Sequence, residues 1–257
     1  MRLYSWNVNG IRAAQTKGLS DWIAQTRPDI LCLQETKAHP DQLEPELRDP
    51  PGYVTYWANS EKKGYSGVAL LSAREPQRVQ IGLGVEEFDR EGRTIVAEYD
   101  DFVLLGAYFP NGSRDHSRVP FKLAYYDAFL AYCNQLRAGG KPIIFCGDVN
   151  TAHQPIDLAR PEENHHTTGF LPEERAWIDA VVAAGYVDIY RDLHPDQAGV
   201  YTYWPYWRDS RGRNIGWRID YFFITPDLRD RVISADIHPD VQGSDHCPVS
   251  LTLKVSD

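Results

Sequence analysis

The 257-residue chain has little cysteine, a single methionine and no long apolar run. Its four cysteines form no Cys-x-x-Cys pair and are too sparse for a disulfide framework, so reduced thiols and a cytoplasmic location are expected. The longest uncharged apolar run, Phe102 to Pro110, is far shorter than the ~20 residues that span a bilayer. No membrane partner is expected, and MRLYSWNVNG lacks the apolar stretch of a signal peptide. Positive charge is in deficit as well: 27 Lys and Arg against 36 Asp and Glu give a net charge of −9. That excludes a protein that coats nucleic acid nonspecifically, because phosphate neutralisation needs a cationic surface. Low-complexity tracts, linkers rich in Gly, Ser or Pro, and repeats of solenoid period are also missing. Residues 1–257 therefore read as one unit, expected to be monomeric. With 42% apolar and 25% charged residues, the composition is that of an ordered globular chain.

Short apolar runs mark strands at Leu3–Trp6, Ile30–Leu33, Tyr53–Trp57, Val68–Leu71, Thr94–Tyr99, Phe102–Tyr108, Ile143–Cys146, Trp217–Ile224 and Val249–Leu253. Asp100-Asp101 suggests a tight hairpin. From Val119, apolar residues recur at Leu123, Tyr126, Leu130 and Cys133, one helical stripe. A second helix starts at Pro172, carries Glu173 and Glu174 in its first turn and stops at Gly185. Many strands with a few interspersed helices point to layered sheets with helices outside.

Polar residues cluster just after these strands: Asn7 and Asn9, Gln34-Glu35, Tyr108 and Asn111, Asp148 and Asn150, and Ser244-Asp245-His246 before the last strand. Catalytic side chains favour loops at the ends of rigid strands, although Asn or Asp there is ordinarily turn chemistry. Asp220, inside WRIDYFFI, is harder to dismiss, since a buried carboxylate needs a partner and a histidine is a natural one. No two-His zinc pattern, phosphate-binding glycine loop or nucleophile elbow is present. Carboxylate and amide oxygens suit Mg²⁺ or Mn²⁺ instead. Between Trp204 and Arg218 lies a local excess of three positive charges interleaved with Trp204, Tyr206, Trp207 and Trp217. Such a loop is either a solvated surface or a nucleic-acid contact, since rings stack on bases while guanidinium groups hold phosphates.

Eight blocks in order then carry a resemblance: SWNVNGIRA (5–13), LQETK (33–37), YFPNG (108–112), GDVNTAHQPIDL (147–158), GFLPEERAWID (169–179), YTYW (201–204), GWRIDYFFI (216–224) and GSDHCPV (243–249). The chain resembles the exonuclease III-type apurinic/apyrimidinic endonucleases of the deoxyribonuclease I-like phosphoesterase superfamily. The resemblance implies an α+β fold, a four-layer α/β/β/α sandwich of two packed mixed β-sheets flanked by helices. It implies Mg²⁺-dependent cleavage 5′ to abasic sites in double-stranded DNA, with 3′→5′ exonuclease and 3′-end-cleaning activity. Glu35, Asn7 and Asp245 are the implied metal residues. Asp148 would activate the attacking water, Asn150 fix its position and His246 donate to a phosphate oxygen while Asp220 holds its ring. Tyr108 and Asn111 would contact the phosphate. Tyr203, Trp217 and Ile219 match a small pocket for an extruded baseless sugar, and Arg114 and Trp207 match residues directed at the DNA around it. Arg208, Arg211 and Asn214 of the same loop are expected to contact DNA. Asn9 stands where one branch of the family carries aspartate, which predicts weaker or more water-mediated metal binding there. Incision beside damaged bases including uracil, a phospholipid or inositol phosphoesterase, and a damage binder without catalysis are the competing readings.

Overall fold

The computed structural model describes residues 1–255, which form twelve strands and seven α-helices. The strands are β1 (Arg2–Asn7), β2 (Ile30–Gln34), β3 (Val54–Ala58), β4 (Val68–Ser72), β5 (Arg78–Ile81), β6 (Thr94–Glu98), β7 (Val103–Tyr108), β8 (Ile143–Asp148), β9 (Val187–Asp188), β10 (Asp220–Ile224), β11 (Val232–Ile237) and β12 (Val249–Leu253). They build two six-stranded sheets, ordered β11-β12-β1-β2-β4-β3 and β5-β6-β7-β8-β10-β9. Each sheet is mixed: β1 runs parallel to β2 and β7 parallel to β8, while the other pairs are antiparallel.

Central strands such as ILCLQ and VLLGAY are buried along their whole length because both faces are covered, which is why they read as unbroken apolar runs. Alternate residues point opposite ways. Ile30 and Cys32 join Ile144, Cys146 and Phe222 in the layer between the sheets. Leu31 and Leu33 face outward, onto α1 (Ile11–Thr16) and α2 (Leu19–Thr26). The two single turns are α3 (Pro45–Arg48) and α4 (Glu86–Asp89). On the outside of the second sheet, α5 (Val119–Ala138) and α6 (Pro172–Ala183) cover Leu105, Phe145 and Phe223 with Tyr125, Phe129, Trp177 and Ile178. The short α7 (Ile189–Leu193) packs against the inter-sheet layer through Ile189 and Tyr190. Small residues let the sheets approach: a Cβ added at Gly106 would lie 2.9 Å from Cys32 Sγ across the seam.

Three sequence expectations are adjusted. The last strand of the second sheet starts at Asp220, not Trp217: Trp217 pairs through isolated bridges with Leu158 and Tyr203, and Arg218 N donates to Asp157 O. The buried stripe of α5 runs through Val119, Lys122, Tyr126, Phe129 and Cys133, leaving Leu123 and Leu130 half-buried at its margin. Strands β5, β9 and β11 lack an apolar run, being exposed, two residues long, or half-buried. No helix among the described residues is long and apolar enough to cross a membrane.

Candidate active site

Strand register brings the polar blocks together. In the parallel pair β1–β2, Asn7 is opposite Gln34, so the ends of the two strands deliver Asn7 and Glu35 side by side. In the second sheet, Tyr108 is opposite Asp148 and Asp148 opposite Asp220, one row across β7, β8 and β10. Ser244 Oγ donates to Asn7 O over 2.8 Å and anchors the turn that carries His246 into β12. Backbone strain concentrates here: Asn9, Glu35, Lys37 and Asn150 all have φ between 45° and 56°. Non-glycine residues adopt that region at a cost of order 1–3 kcal/mol each, and such strain gathers at functional sites.

Asn7 Nδ2 donates to both Glu35 Oε1 and Asp148 Oδ2, each over 2.8 Å, and so ties the two sheets together at the site. Its Oδ1 accepts from Asn9 N, so Asn7 joins two carboxylates through its amide nitrogen. Asp148 also accepts from Asn150 N (2.8 Å) and Asn150 Nδ2 (3.2 Å). His246 Nδ1 lies 2.8 Å from Asp220 Oδ2, and its Nε2 lies 3.9 Å from Asp148 Oδ2. Asp245 accepts from Asn9 Nδ2 through both carboxylate oxygens at 3.1 Å, while Asn9 Oδ1 accepts from Lys37 Nζ at 2.5 Å. Asn111 Nδ2 approaches Asn150 Oδ1 at 3.4 Å.

Charge follows burial and neighbours. Burial pushes the Glu35 carboxyl up, but Lys37 at 2.7 Å, the Asn7 amide and His246 outweigh it and hold the group below its ordinary value. Burial pushes Asp148 up; His246 and Asn7 oppose this, while Asp220 and Glu35 add to it. Burial alone would deprotonate His246, yet Asp220 and Asp148 overcome it and raise the imidazolium to about 10. Tyr108 is held neutral, well above the usual phenol range, by burial and by Glu35. Ligand atoms of Glu35, Asp148 and His246 lie within 4.8 Å of one another. Glu35, half-buried and held ionised, and the buried Asp148 beside it offer carboxylate oxygens that fit a hard divalent cation, whereas the protonated His246 offers it no lone pair. Asp245 stands beside this group rather than within it.

A cleft of about 820 Å³ opens over the site. Glu35, Tyr108, Asn150 and His246 line it together with Tyr203, Trp217 and Ile219, and the Tyr203 ring packs on His246 with centres 4.8 Å apart; Asn111, Arg114, Trp207 and Arg208 also line it. Trp207 is 61% exposed. Two expected contacts fall outside the cleft. Arg211 donates to the carbonyls of Ser244, Pro239 and Val241, so its guanidinium clamps the loop instead of facing a phosphate. Asn214 accepts from Trp204 Nε1 and donates to Gly199 O. Arg213 and Arg160 line the cleft in their place. The sequence reading also passed over Lys37, although LQETK contains it, and Arg93. Arg93 is fully buried, donates to Tyr108 O at 3.0 Å and lies 4.8 Å from the Tyr108 ring centre.

A carboxylate pair beside an imidazolium, at the strand ends of two packed mixed sheets, is the arrangement of a metal-assisted phosphoesterase. Residues 4–246 match the Endonuclease/Exonuclease/phosphatase family, to which the chain belongs. Within it the protein is a hydrolase of the exonuclease III-type group, a nuclease. It is 46% identical over 257 residues to the DNA repair nuclease APEX1 of Danio rerio, covering 99% of this chain and 83% of the relative. An exodeoxyribonuclease of Bacillus subtilis (strain 168) is 43% identical over 256 residues, covering 99% of this chain and 100% of the relative. The structure of an AP endonuclease from Archaeoglobus fulgidus superposes with a TM-score of 0.89 at 30% identity, covering 99% of this chain and 100% of the other.

Proposed function

We propose that this nuclease repairs DNA by cutting the phosphodiester 5′ to an abasic site with Mg²⁺, or Mn²⁺ in its place, leaving a 3′-hydroxyl and a 5′-deoxyribose phosphate. The observation that carries this reading is the compact Glu35–Asp148–His246 group sharing one cleft with the aromatic wall of Tyr203 and Trp217. Glu35 would hold the cation, with Asp245 supporting it; Asn7, first expected as a ligand, instead fixes the Glu35 and Asp148 carboxylates through its amide nitrogen. The bound ion would draw charge from the scissile phosphate and stabilise the departing 3′ oxygen. Asp148 accepts the proton of the attacking water and Asn150 orients that water. His246, kept protonated by Asp220, donates to a phosphate oxygen on which negative charge develops. Tyr108, a neutral phenol, and Asn111 would donate to the same phosphate. Tyr203, Trp217 and Ile219 would accept a baseless sugar, whose extrusion costs less than unstacking an intact nucleotide. Arg114, Trp207 and Arg208 would hold the flanking duplex. Exonucleolytic and 3′-end-cleaning activity are the same attack on a neighbouring phosphate. The protein would work as a monomer in the cytoplasm, where its four unpaired, buried cysteines stay reduced.

Labelled duplexes carrying an abasic site, a uracil, a 3′ phosphate or no lesion, with and without Mg²⁺, test the proposal. Cleavage 5′ to the abasic site that requires the metal is expected. Preferential cutting at uracil would move the assignment to damaged-base incision, and hydrolysis of lipid head groups without DNA cleavage would overturn it. Glu35→Ala should lose activity that excess Mg²⁺ partly restores; a metal response identical to wild type would remove Glu35 as a ligand.

A further inference from the structure

Lys122 and Glu174 are both completely buried, yet neither touches the cleft. Lys122 Nζ donates to Glu174 Oε1 (2.7 Å), to Asn150 O (2.7 Å) and to Thr151 Oγ1 (2.8 Å), so all three of its protons are used. Glu174 is equally committed. Its Oε1 also accepts from Thr168 Oγ1 (2.7 Å), and its Oε2 accepts from Gly169 N (2.5 Å) and Leu171 N (3.0 Å). One turn further along α5, Tyr126 donates its single hydroxyl proton to Val149 O at 2.8 Å, and the same oxygen lies 2.8 Å from Thr151 Oγ1. Residues 122 and 126 lie on one helix face, so α5 grips the 149–151 turn at two points.

That turn carries Asn150 in a left-handed conformation, φ 56°. The segment on the Glu174 side lines the cleft through Thr168 and Gly169. Ala152 N donates to Gly169 O at 2.8 Å. A Cβ on Gly169 would sit 3.2 Å from Asn150 O and 3.3 Å from the Trp217 ring, so the Asn150 turn, Gly169 and Trp217 are in direct contact. A buried ion pair is weak evidence of stabilisation, because removing two charges from water offsets their attraction and a neutral pair of similar volume often serves as well. Its presence at this junction calls for a role that a neutral pair would not fill.

We infer that Lys122 and Glu174 are positioning residues that hold the Asn150 turn and the Gly169 wall of the cleft in fixed relation. The inference rests on the reading of Asn150 as the group that orients the attacking water. Placing that group about 1 Å wrongly would slow hydrolysis by up to about 10²-fold while leaving the duplex-binding surface intact.

The test compares Lys122→Met, Glu174→Gln and the double variant by thermal melting and by kcat and KM, using abasic duplex and, separately, plain duplex 3′ ends. Lys122→Met alone should melt several degrees below wild type because Glu174 is left buried and unpaired. The double variant should recover the wild-type melting temperature, with kcat still down roughly 10–100-fold and KM within about 3-fold. Recovery of both melting temperature and kcat in the double variant would overturn the inference, showing the pair to be structural only. If the double variant does not fold, Glu174→Gln decides: it is nearly isosteric, and an unchanged kcat in it overturns the inference equally. Failure of the wild type on abasic duplex alone would count against the proposed function and not against this inference, because digestion of plain 3′ ends uses the same Asn150 turn.

Discussion

Replacing Asp148 by asparagine should remove most of the activity while leaving stability near neutral pH almost unchanged. The side chain is 1% exposed and keeps its shape in the variant. With Asp148 as the proposed general base, its loss costs about 10²–10⁴-fold in kcat, or about 3–5 kcal/mol at 1.36 kcal/mol per tenfold. For stability, the wild-type carboxyl is pushed up, burial being the largest cause, so the fold binds its proton more tightly than the unfolded chain does. Such a group contributes stability that is present below its unfolded value near ~4 and is lost as pH rises through its folded value. Asparagine is neutral throughout and escapes that loss. Against this, its NH₂ must face one of the donors Asn150 N, Asn150 Nδ2 or Asn7 Nδ2, at about 1–3 kcal/mol. The two effects nearly cancel, which keeps the melting temperature within roughly 5 °C of wild type near neutral pH. The melting temperature of the variant minus that of wild type should therefore climb between pH 4 and 7 with divalent metal chelated. Near-normal turnover, or a difference that is flat or falls with pH, would refute the reasoning.

Asn9→Asp sets a carboxylate against Asp245, so the metal-free protein should melt lower and half-maximal activity should need less Mg²⁺; unchanged melting and metal titration would sink this. Trp207→Ala, at an exposed rim, should leave the melting temperature within about 1 °C but raise KM for damaged duplex roughly 10-fold through lost stacking. An unaltered KM would remove Trp207 from the DNA contact. Arg218→Met removes the guanidinium that binds Asp157 and Asp188 at 2.8 and 2.7 Å in the interior, leaving Asp188 unpaired and Asp157 with Arg191 alone. The cost is about 3–5 kcal/mol, or roughly 6–20 °C. Burial raises the Asp157 carboxyl, but Arg218, Gln154 N and Arg191 lower it further, so its stabilisation is present above ~4 and fades in acid. The gap between wild type and Arg218→Met should close as pH falls below about 4; a gap independent of pH would contradict that account.

The apolar strands were legible because two covered faces leave a continuous signature, as in ILCLQ and IIFCGD. Helices α1 and α2 were not: they start at Gly10 and Gly18 with positive φ and no side-chain cap, so the usual Ser or Asp start signal is missing. The candidate site residues could be named from motif order, but their meeting could not be foreseen, since it depends on pairings such as Asn7 with Gln34 and Asp148 with Asp220 between distant segments. Arg211 and Arg213 are equivalent in a charge window. Left-handed residues at Arg208, Asp209 and Asn214 shape the loop so that one arginine faces inward to carbonyls and the other faces the cleft. Lys122 had a signal that went unread: it lies four residues before Tyr126, on the buried stripe of α5.

The proposed catalytic group straddles the seam of the sandwich, with Glu35 and His246 supplied by one sheet and Asp148 and Asp220 by the other. The spacing of its acids and imidazole is thus set by interior packing, and the thin Gly106–Cys32 contact acts as a shim. Thickening that shim by a single methyl would spread the jaws of the site from within the core, making an unreactive, buried glycine a gauge of how finely this enzyme is tuned.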